Sequence, residues 1–323
     1  MKPTMELDRV AHLFNAVVDE LGKVIVGQRE LIEGVLIALF SEGSVLIEGV
    51  PGLGKTLLIN TLATAVSCKF KRVQFTPDLM PSDLTGHNIY DMNERKFHFN
   101  AGPIFTNLLL ADEINRSPPK TQSALLEVMQ ERQVTVDGVR YPLTRPFLVL
   151  GTQNPLEHEG TYPLPEAQVD RFMFKLLVDY PTQEEETEIL GHLAEGRDAR
   201  DLSTFQLESV LQAEDALEVQ RASSKVIVEP KVISYITTIV GQTRNMGTVS
   251  VGSSPRGSVN LFLASRTAAA CRGRDFVTPD DVKEICPWVL RHRLRLRPEA
   301  EIEGVSPDQV IRQILETVEA PRS

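Results

Sequence analysis

Residues Gly49 to Thr56 fit the spacing G-x-x-x-x-G-K-[ST] at every position, directly after a predicted strand and before a predicted helix. In this pattern the glycines let backbone N–H groups surround phosphate oxygens at the N-terminus of the helix. Lys55 would bridge the β- and γ-phosphates of a nucleotide, and the Thr56 hydroxyl would ligate Mg²⁺. We therefore predict an ATP-binding loop formed by Gly49, Val50, Pro51, Gly52, Leu53, Gly54, Lys55, Thr56 and Leu57.

An acidic pair, Asp112 and Glu113, follows the apolar run 108–111. Alone, such a pair could simply cap a loop, but after a phosphate-binding loop it indicates a second part of the same site. Asp112 is suited to organise Mg²⁺ and its waters, and Glu113 to orient or deprotonate an attacking water. Because a transferase excludes water whereas a hydrolase must position it, Glu113 favours hydrolysis.

Three further polar residues are candidates for the same chemistry: Asn154, Arg171 and Arg256. Asn154 follows the apolar run 147–152 and could hold the lytic water or the γ-phosphate, although an Asn before a Pro also starts turns. Arg171 could equally belong to a surface ion pair. Arg256 lies in the first turn of a predicted helix, where a cation opposes the helix dipole unless an anion compensates it, and phosphate is the obvious anion.

The elements that must position these residues alternate along the first half of the chain. Apolar runs at 44–48, 72–75, 108–112 and 147–152 are separated by helical stretches, which is typical of a parallel sheet covered by helices. The helix after Glu113 is expected to begin with Ser117 as its cap and Pro118 in its first turn. Two hairpins interrupt the alternation: one turns at Asp137-Gly138, a strong hairpin signal, and a weaker one covers residues 89–97.

After residue 182 strand signals nearly vanish, and helix starts recur with a proline in the first turn. These prolines are Pro230, Pro255, Pro279 and Pro307. We predict an α/β nucleotide-binding domain over residues 1–182, followed by a small helical lid domain over residues 183–323.

Charge and composition narrow the class of protein. The 323 residues include 34 Lys and Arg against 44 Asp and Glu, which gives a formal charge of −10 and disfavours a nucleic-acid partner. The basic run Arg291–Arg297 is the exception, yet no aromatic residues interleave it. The three cysteines are too few and too widely spaced for a disulfide framework, which predicts a reducing cytoplasm. Early charges and the shortness of the apolar run 35–40 predict neither a secretion signal nor a membrane span.

Several long motifs resemble one family, the MoxR family of AAA+ ATPases, in its helix-2-insert branch. The resemblance extends from about Ile25 to Leu294. It is carried by the segments Leu110–Arg116, Pro118–Gln122, Gly151–Pro155, Gly160–Gln168 and Asp170–Phe172.

The resemblance implies a role for each matching residue. Lys55 and Thr56 belong to Walker A, and Asp112 and Glu113 to Walker B. Asn154 corresponds to sensor 1, Arg171 to the arginine finger that acts on a neighbouring subunit, and Arg256 to sensor 2, within its own subunit or across the interface. Val26, Gly27 and Gln28 resemble the segment that lines the adenine, and the two hairpins match the helix-2 insert and the pre-sensor hairpin.

The same resemblance implies an assembly and partners. A homo-oligomeric ring, of six subunits as in the family, would use ATP and Mg²⁺ for chaperone-like maturation of a client protein or for metal insertion. A protein containing a von Willebrand factor A domain would be the partner.

Three alternatives remain open from sequence. A small-molecule P-loop kinase would have a self-contained site, which Glu113 and the two hairpins disfavour. An ATP-driven nucleic-acid remodeller of the same AAA+ branch would show turnover stimulated by DNA or RNA. A nucleotide-gated scaffold would need ATP binding but not hydrolysis.

Overall fold

The computed structural model of the chain describes residues 5–50, 52–154 and 160–321. Pro51, one of the predicted ATP-binding residues, lies outside the described residues. Among the described ranges we find no helix with the length and hydropathy that a membrane crossing requires.

Helices and strands alternate through the first half of the chain and helices dominate the second half. The strands are β1 (Val45–Gly49), β2 (Phe70–Gln74), β3 (Gly86–Asp91), β4 (Lys96–Ala101), β5 (Leu108–Asp112), β6 (Gln133–Val136), β7 (Val139–Pro142), β8 (Leu148–Gln153), β9 (Phe174–Val178), β10 (Val249–Val251) and β11 (Arg295–Leu296). The helices are α1 (Leu7–Gly22), α2 (Arg29–Phe40), α3 (Lys55–Ala65), α4 (Pro81–Thr85), α5 (Pro119–Glu131), α6 (Glu166–Val169), α7 (Gln183–Ala194), α8 (Ala213–Ser223), α9 (Pro230–Gln242), α10 (Pro255–Cys271), α11 (Pro279–Leu290), α12 (Pro298–Ile302) and α13 (Pro307–Thr317).

A five-stranded parallel sheet in the order β2-β5-β8-β1-β9 forms the centre of the first half. Its strands β5 and β8 have fully buried residues on both faces, as expected for parallel strands covered by helices on either side. This confirms the predicted α/β core. Because the strands are parallel, the carboxyl ends of β1, β5 and β8 meet at one edge of the sheet.

Both predicted hairpins are present. Strands β3 and β4 pair in antiparallel register from Gly86–Ala101 to Asp91–Lys96. Strands β6 and β7 join through Asp137 and Gly138, both with positive φ, which is the backbone that a tight two-residue turn requires.

From α7 onward the chain is helical, apart from a short antiparallel ladder between β10 and β11, and we call this region the helical part. Helices α9, α10, α11 and α13 each begin at the predicted proline. Helix α11 packs against the sheet through Trp288, whose ring lies 5.7 Å from that of Phe174 in β9 and whose Nε1 donates to Glu30 at 2.6 Å. The helical part is therefore docked on the edge strand of the sheet.

The predicted cap of the helix after Glu113 is wrong. Helix α5 begins at Pro119, and Ser117 instead donates a hydrogen bond to the carbonyl of Ile114 at 3.4 Å. Two consecutive prolines explain the shift, because a residue before proline is driven out of the helical region, and both Ser117 and Pro118 have extended backbone.

We expect Gly49→Ala to destabilise the sheet where β1 meets β9. A Cβ at Gly49 would lie 2.6 Å from the carbonyl oxygen of Val178, which backbone pairing holds in place. The expected loss is about 1–3 kcal/mol of unfolding free energy, measured by urea denaturation without nucleotide. Gly191→Ala in α7 is the control, because a Cβ there meets open space and the helix should gain about 0.5–1 kcal/mol. Equal stabilities of the two variants would contradict the steric argument.

Candidate active site

A cavity of about 390 Å³ opens at the carboxyl edge of the sheet. Gly54, with φ of 75°, immediately precedes α3, so the loop delivers its backbone N–H groups to the start of that helix. Three of the predicted catalytic or metal-binding residues, Asp112, Glu113 and Asn154, share this cavity with the loop. Its lining residues are Gly52, Leu53, Gly54, Lys55, Thr56, Leu57, Arg72, Asp112, Glu113, Thr152, Gln153 and Asn154.

Lys55 is folded onto the loop that carries it. Its Nζ donates to the carbonyl of Gly49 at 2.5 Å and to that of Gln153 at 3.5 Å. Burial lowers the pKa of Lys55, while the carboxylates of Asp112 and Glu113 act in the opposite direction. The ammonium group is thus half-desolvated and faces the acidic pair across the cavity, where it can serve as a point charge for phosphate.

Each carboxylate oxygen of Asp112 accepts hydrogen bonds from protein donors. The Thr152 hydroxyl donates to Oδ1 at 2.6 Å, and Arg72 Nη2 donates to Oδ2 at 2.6 Å. Thr152 also accepts from the backbone N–H of Glu113 at 2.9 Å, so one hydroxyl orients both members of the acidic pair. Neither Thr152 nor Arg72 was predicted from the sequence to belong to the site. The signal available for Thr152 was a hydroxyl near the end of an apolar strand, two residues before Asn154.

Glu113 sits in the left-handed region of backbone conformation, with φ of 55° and ψ of 51°. Gln74 Nε2 donates to Glu113 Oε2 at 2.7 Å, and Arg116 forms an ion pair with the same oxygen at 3.3 Å. Two neighbours therefore hold the carboxylate, which lines the same cavity as Lys55.

The oxygen donors in the cavity suit Mg²⁺. The Thr56 hydroxyl and the Asp112 carboxylate line the same space, and both are hard oxygen ligands of the kind that Mg²⁺ prefers alongside phosphate oxygens and water. The residues present therefore fit the predicted ion.

A smaller cavity of about 160 Å³ is lined by Val26, Gly27 and Gln28. Gln28 Nε2 donates to the carbonyl of Leu53 at 3.3 Å, which ties this segment to the phosphate-binding loop. The Glu185 carboxylate packs directly against Gly27, where any Cβ would collide with it. The segment predicted to line the adenine is thus adjacent to the loop predicted to hold the phosphates.

Arg171 and Arg256 lie elsewhere. Both line a separate cavity of about 460 Å³ beside Ser44 and Met173, which precede β1 and β9 at the amino edge of the sheet. The five residues of β1 rise about 3.3 Å each, which places this edge about 16 Å from the phosphate-binding loop. Neither arginine lines the cavity of Lys55 in its own chain.

The anion beside Arg256 is a carboxylate of the same chain. Arg256 Nη1 donates to Asp170 Oδ2 at 3.0 Å, so Asp170 compensates the cation in the first turn of α10, the place where the sequence suggested phosphate.

The basic run that could have contacted nucleic acid is engaged within the chain. Arg291 Nε donates to Asp308 at 3.0 Å, Arg293 Nε to Asp170 at 2.8 Å, and Arg295 pairs with Glu166 at 3.1 Å. Three of its arginines therefore face carboxylates of their own chain, which disfavours a phosphate-backbone contact here.

We expect Thr152→Val to lower ATP turnover about 10- to 100-fold, the usual effect of removing a side chain that orients a metal-binding carboxylate. Valine keeps the shape but loses both hydrogen bonds to the acidic pair. Steady-state turnover titrated with Mg²⁺ measures the effect. Thr152→Ser retains the hydroxyl and should keep most of the turnover; if both variants fall together, packing rather than hydrogen bonding is responsible.

The sheet order, the phosphate-binding loop and the acidic pair define a P-loop ATPase of the AAA+ class with a helical lid. Residues 44–174 match the ATPase family associated with various cellular activities (AAA), and residues 241–314 match the AAA lid domain.

Individual relatives refine the assignment. The chain is 45% identical over 320 residues to the chaperone MoxR1 of Mycobacterium tuberculosis, covering 96% of this chain and 83% of that protein. A crystal structure from Cytophaga hutchinsonii superimposes with a TM-score of 0.89 at 43% identity, covering 98% of this chain and 97% of that one. A magnesium-chelatase subunit ChlI of rice is 27% identical over 204 residues, or 61% of this chain and 46% of that protein. The chain belongs to the MoxR family of AAA+ ATPases.

Proposed function

We propose that this protein is a Mg²⁺-dependent ATP hydrolase that works as a ring, in which each active site is completed by the neighbouring subunit. One observation carries the proposal: the groups for nucleotide chemistry are divided between the two edges of the sheet. Lys55, Asp112 and Glu113 share the carboxyl edge, whereas Arg171 and Arg256 lie at the amino edge.

At the carboxyl edge the side chains match the needs of phosphoryl transfer to water. Lys55 neutralises charge on the β- and γ-phosphates, and Asn154 hydrogen-bonds the γ-phosphate or the water. Glu113 would release its contacts with Gln74 and Arg116 and accept a proton from the attacking water. A Mg²⁺ ion held by Thr56 and Asp112 would neutralise phosphate charge.

At the amino edge the chain presents positive charge away from its own phosphate-binding loop. The cavity contains four arginines; Arg132 pairs with Glu42 and Arg256 with Asp170. Within the part of the chain that the structure describes, no hydrogen bond or ion pair engages the guanidinium of Arg171. A γ-phosphate presented by the carboxyl edge of a neighbouring subunit would supply the missing anion, and repeating that contact closes a ring.

The test is ATP turnover per subunit across a wide range of protein concentration, with sedimentation velocity on the same samples. A shared site requires specific turnover to rise as subunits assemble, with ADP and inorganic phosphate as products, and chelation of Mg²⁺ to abolish it. A specific rate that stays constant while the chain remains monomeric would refute the shared site and favour a self-contained enzyme.

We further propose that turnover drives chaperone-like remodelling or metal insertion on a client protein, together with a partner carrying a von Willebrand factor A domain. The relatives named chaperone MoxR1 and magnesium-chelatase subunit ChlI support these two kinds of work. The hairpin β3–β4 offers a contact surface, because Tyr90, Met92 and Phe97 are 48%, 83% and 70% exposed. A Glu113→Gln variant loaded with ATP should retain the client, and a variant with Met92→Ser and Phe97→Ser added should not. Equal retention by both variants would remove the hairpin from the proposal.

A further inference from the structure

The segment that carries Arg171 is held by the helical part of the same chain. Asp170 immediately precedes Arg171 and accepts hydrogen bonds at both carboxylate oxygens. Arg293 Nε donates to Oδ1 at 2.8 Å, while Arg256 Nη1 and Ser254 Oγ donate to Oδ2 at 3.0 and 3.3 Å. Asp170 therefore binds Arg256 through its carboxylate and is joined to Arg171 through the backbone, so it connects the two arginines implicated in the shared site.

Arg293 is the buried centre of this connection, with its side chain only 1% exposed. Its Nη2 donates to the carbonyls of Asp170 and Phe172 at 2.9 and 2.6 Å, and its Nη1 to that of Met173 at 3.2 Å and to that of Val289. Burial lowers the pKa of Arg293 to about 10, which leaves the guanidinium charged at neutral pH. Every nitrogen of the guanidinium thus has an acceptor, as a buried cation requires.

The neighbours of Arg293 extend the same contact. Arg291 Nη1 donates to the carbonyl of Lys175 at 3.2 Å, and the ring Nε2 of His292 lies 3.2 Å from the carbonyl of Phe172. The segment after α11 therefore lies along the backbone that runs from Asp170 into β9. Any rotation of the helical part must carry this backbone with it or break these bonds.

We propose that Arg293 is a positioning residue for the trans-acting arginines: through Asp170 it locks Arg171 and Arg256 into one rigid unit that meets the neighbouring subunit's nucleotide together. The inference rests on the proposed function, since it concerns the same shared site. Arg293 touches no nucleotide in this arrangement, and its effect is exerted through the backbone of residues 170–173. Lysine cannot replace it, because one ammonium cannot reach a carboxylate and several carbonyls in different directions.

Mixed rings separate this role from a general contribution to folding. A Glu113→Gln subunit cannot turn over its own ATP but still offers Arg171 to its neighbour, so it acts as a donor. An Arg171→Ala subunit keeps its own phosphate site but offers no finger, so it acts as an acceptor. Mixing the two should restore turnover well above the sum of the separate variants, and absence of that recovery would refute the proposed shared site rather than the role of Arg293.

The Arg293→Gln change is then placed on one side of the mixture at a time. In the donor, combined with Glu113→Gln, it should lower the recovered turnover about 10- to 100-fold, because a displaced finger no longer matches the transition state. For the acceptor side, an Arg293→Gln subunit is mixed with the Glu113→Gln donor in place of the Arg171→Ala subunit. Turnover should still recover in this mixture, because the donor supplies an intact Arg171. Equal losses on both sides would show a merely structural role and overturn the inference.

Two further variants make the comparison independent of folding. Arg274→Gln breaks a comparable arginine contact, to the buried Asp281 within the helical part, and in the donor it should leave the recovery intact. Should Arg293→Gln fail to fold, Asp170→Asn carries the same comparison, because it keeps the shape at a 22% exposed side chain and removes the charge that Arg293 and Arg256 share. Donor recovery unaffected by Asp170→Asn would equally overturn the inference.

Discussion

Arg171→Ala should lower ATP turnover by about 10³-fold or more while leaving ATP binding nearly unchanged, since an arginine supplied to the γ-phosphate in trans acts mainly on the transition state. The geometry explains the separation of the two effects. Arg171 lies at the amino edge of the sheet, whereas the residues that would bind ATP in the same chain line the cavity at the carboxyl edge. Removing the guanidinium therefore leaves the phosphate-binding loop of its own subunit untouched.

Steady-state turnover and equilibrium binding of a fluorescent ATP analogue, measured at a concentration where rings form, check this expectation. Arg312→Ala, at an exposed position of α13, is the matched control and should change neither quantity. Loss of ATP binding in Arg171→Ala would mean that Arg171 acts within its own subunit. Turnover close to wild type would mean that Arg171 is a surface residue without a catalytic role.

The part of the fold that the sequence predicted best is the part governed by local burial. Strands β5 and β8 were placed within one residue of their observed bounds, because strands buried on both faces read as continuous apolar runs. The starts of the helices that begin with proline were predicted equally well, since proline is tolerated in the first turn of a helix but disfavoured in its interior. Strand β9 was not predicted, although Phe174–Val178 is apolar, because Lys175 interrupts it and the run directly follows the motif around Arg171.

In the site, too, local motifs could be predicted from the sequence and long-range contacts could not. The phosphate-binding loop and the acidic pair are short contiguous motifs whose chemistry can be predicted from residue types alone. Thr152 and Arg72 reach Asp112 only because β8 and β2 flank β5 in the sheet, and no local pattern specifies that order. The Asp170–Arg293 contact joins residues more than a hundred positions apart, so it depends on how the helical part docks on the sheet.

These long-range contacts serve different purposes at the two edges of the sheet. At the carboxyl edge, hydrogen bonds from neighbouring strands orient Asp112 and Glu113 for chemistry on a nucleotide held by the same chain. At the amino edge, contacts from the helical part hold the segment carrying Arg171. In the proposed ring, a movement of the helical part would therefore reach the neighbour's site through Arg171, and it would reach the chain's own site through Glu185, which packs against Gly27. Such a double contact would be a physical basis for turnover that proceeds from subunit to subunit.

Glu113→Gln should lower turnover about 10²- to 10⁴-fold and trap ATP in the site, because an amide cannot accept the proton of the attacking water. The change should leave the fold intact. A glutamine at this position still offers Gln74 an oxygen acceptor, and the loss of the exposed ion pair with Arg116 is worth at most about 1 kcal/mol. ATP retained after rapid gel filtration, compared with released phosphate, measures both effects at once.

The isosteric control is Glu127→Gln on the exposed face of α5, which removes the same charge away from the cavity and should change neither turnover nor retention. The result also separates the remaining functions. A scaffold that needs only ATP binding would keep its full activity toward a partner in Glu113→Gln, whereas a machine driven by hydrolysis would bind its client and fail to release it. Turnover of Glu113→Gln at the wild-type rate would assign the proton to another acceptor, and the division of labour between Asp112 and Glu113 would have to be abandoned.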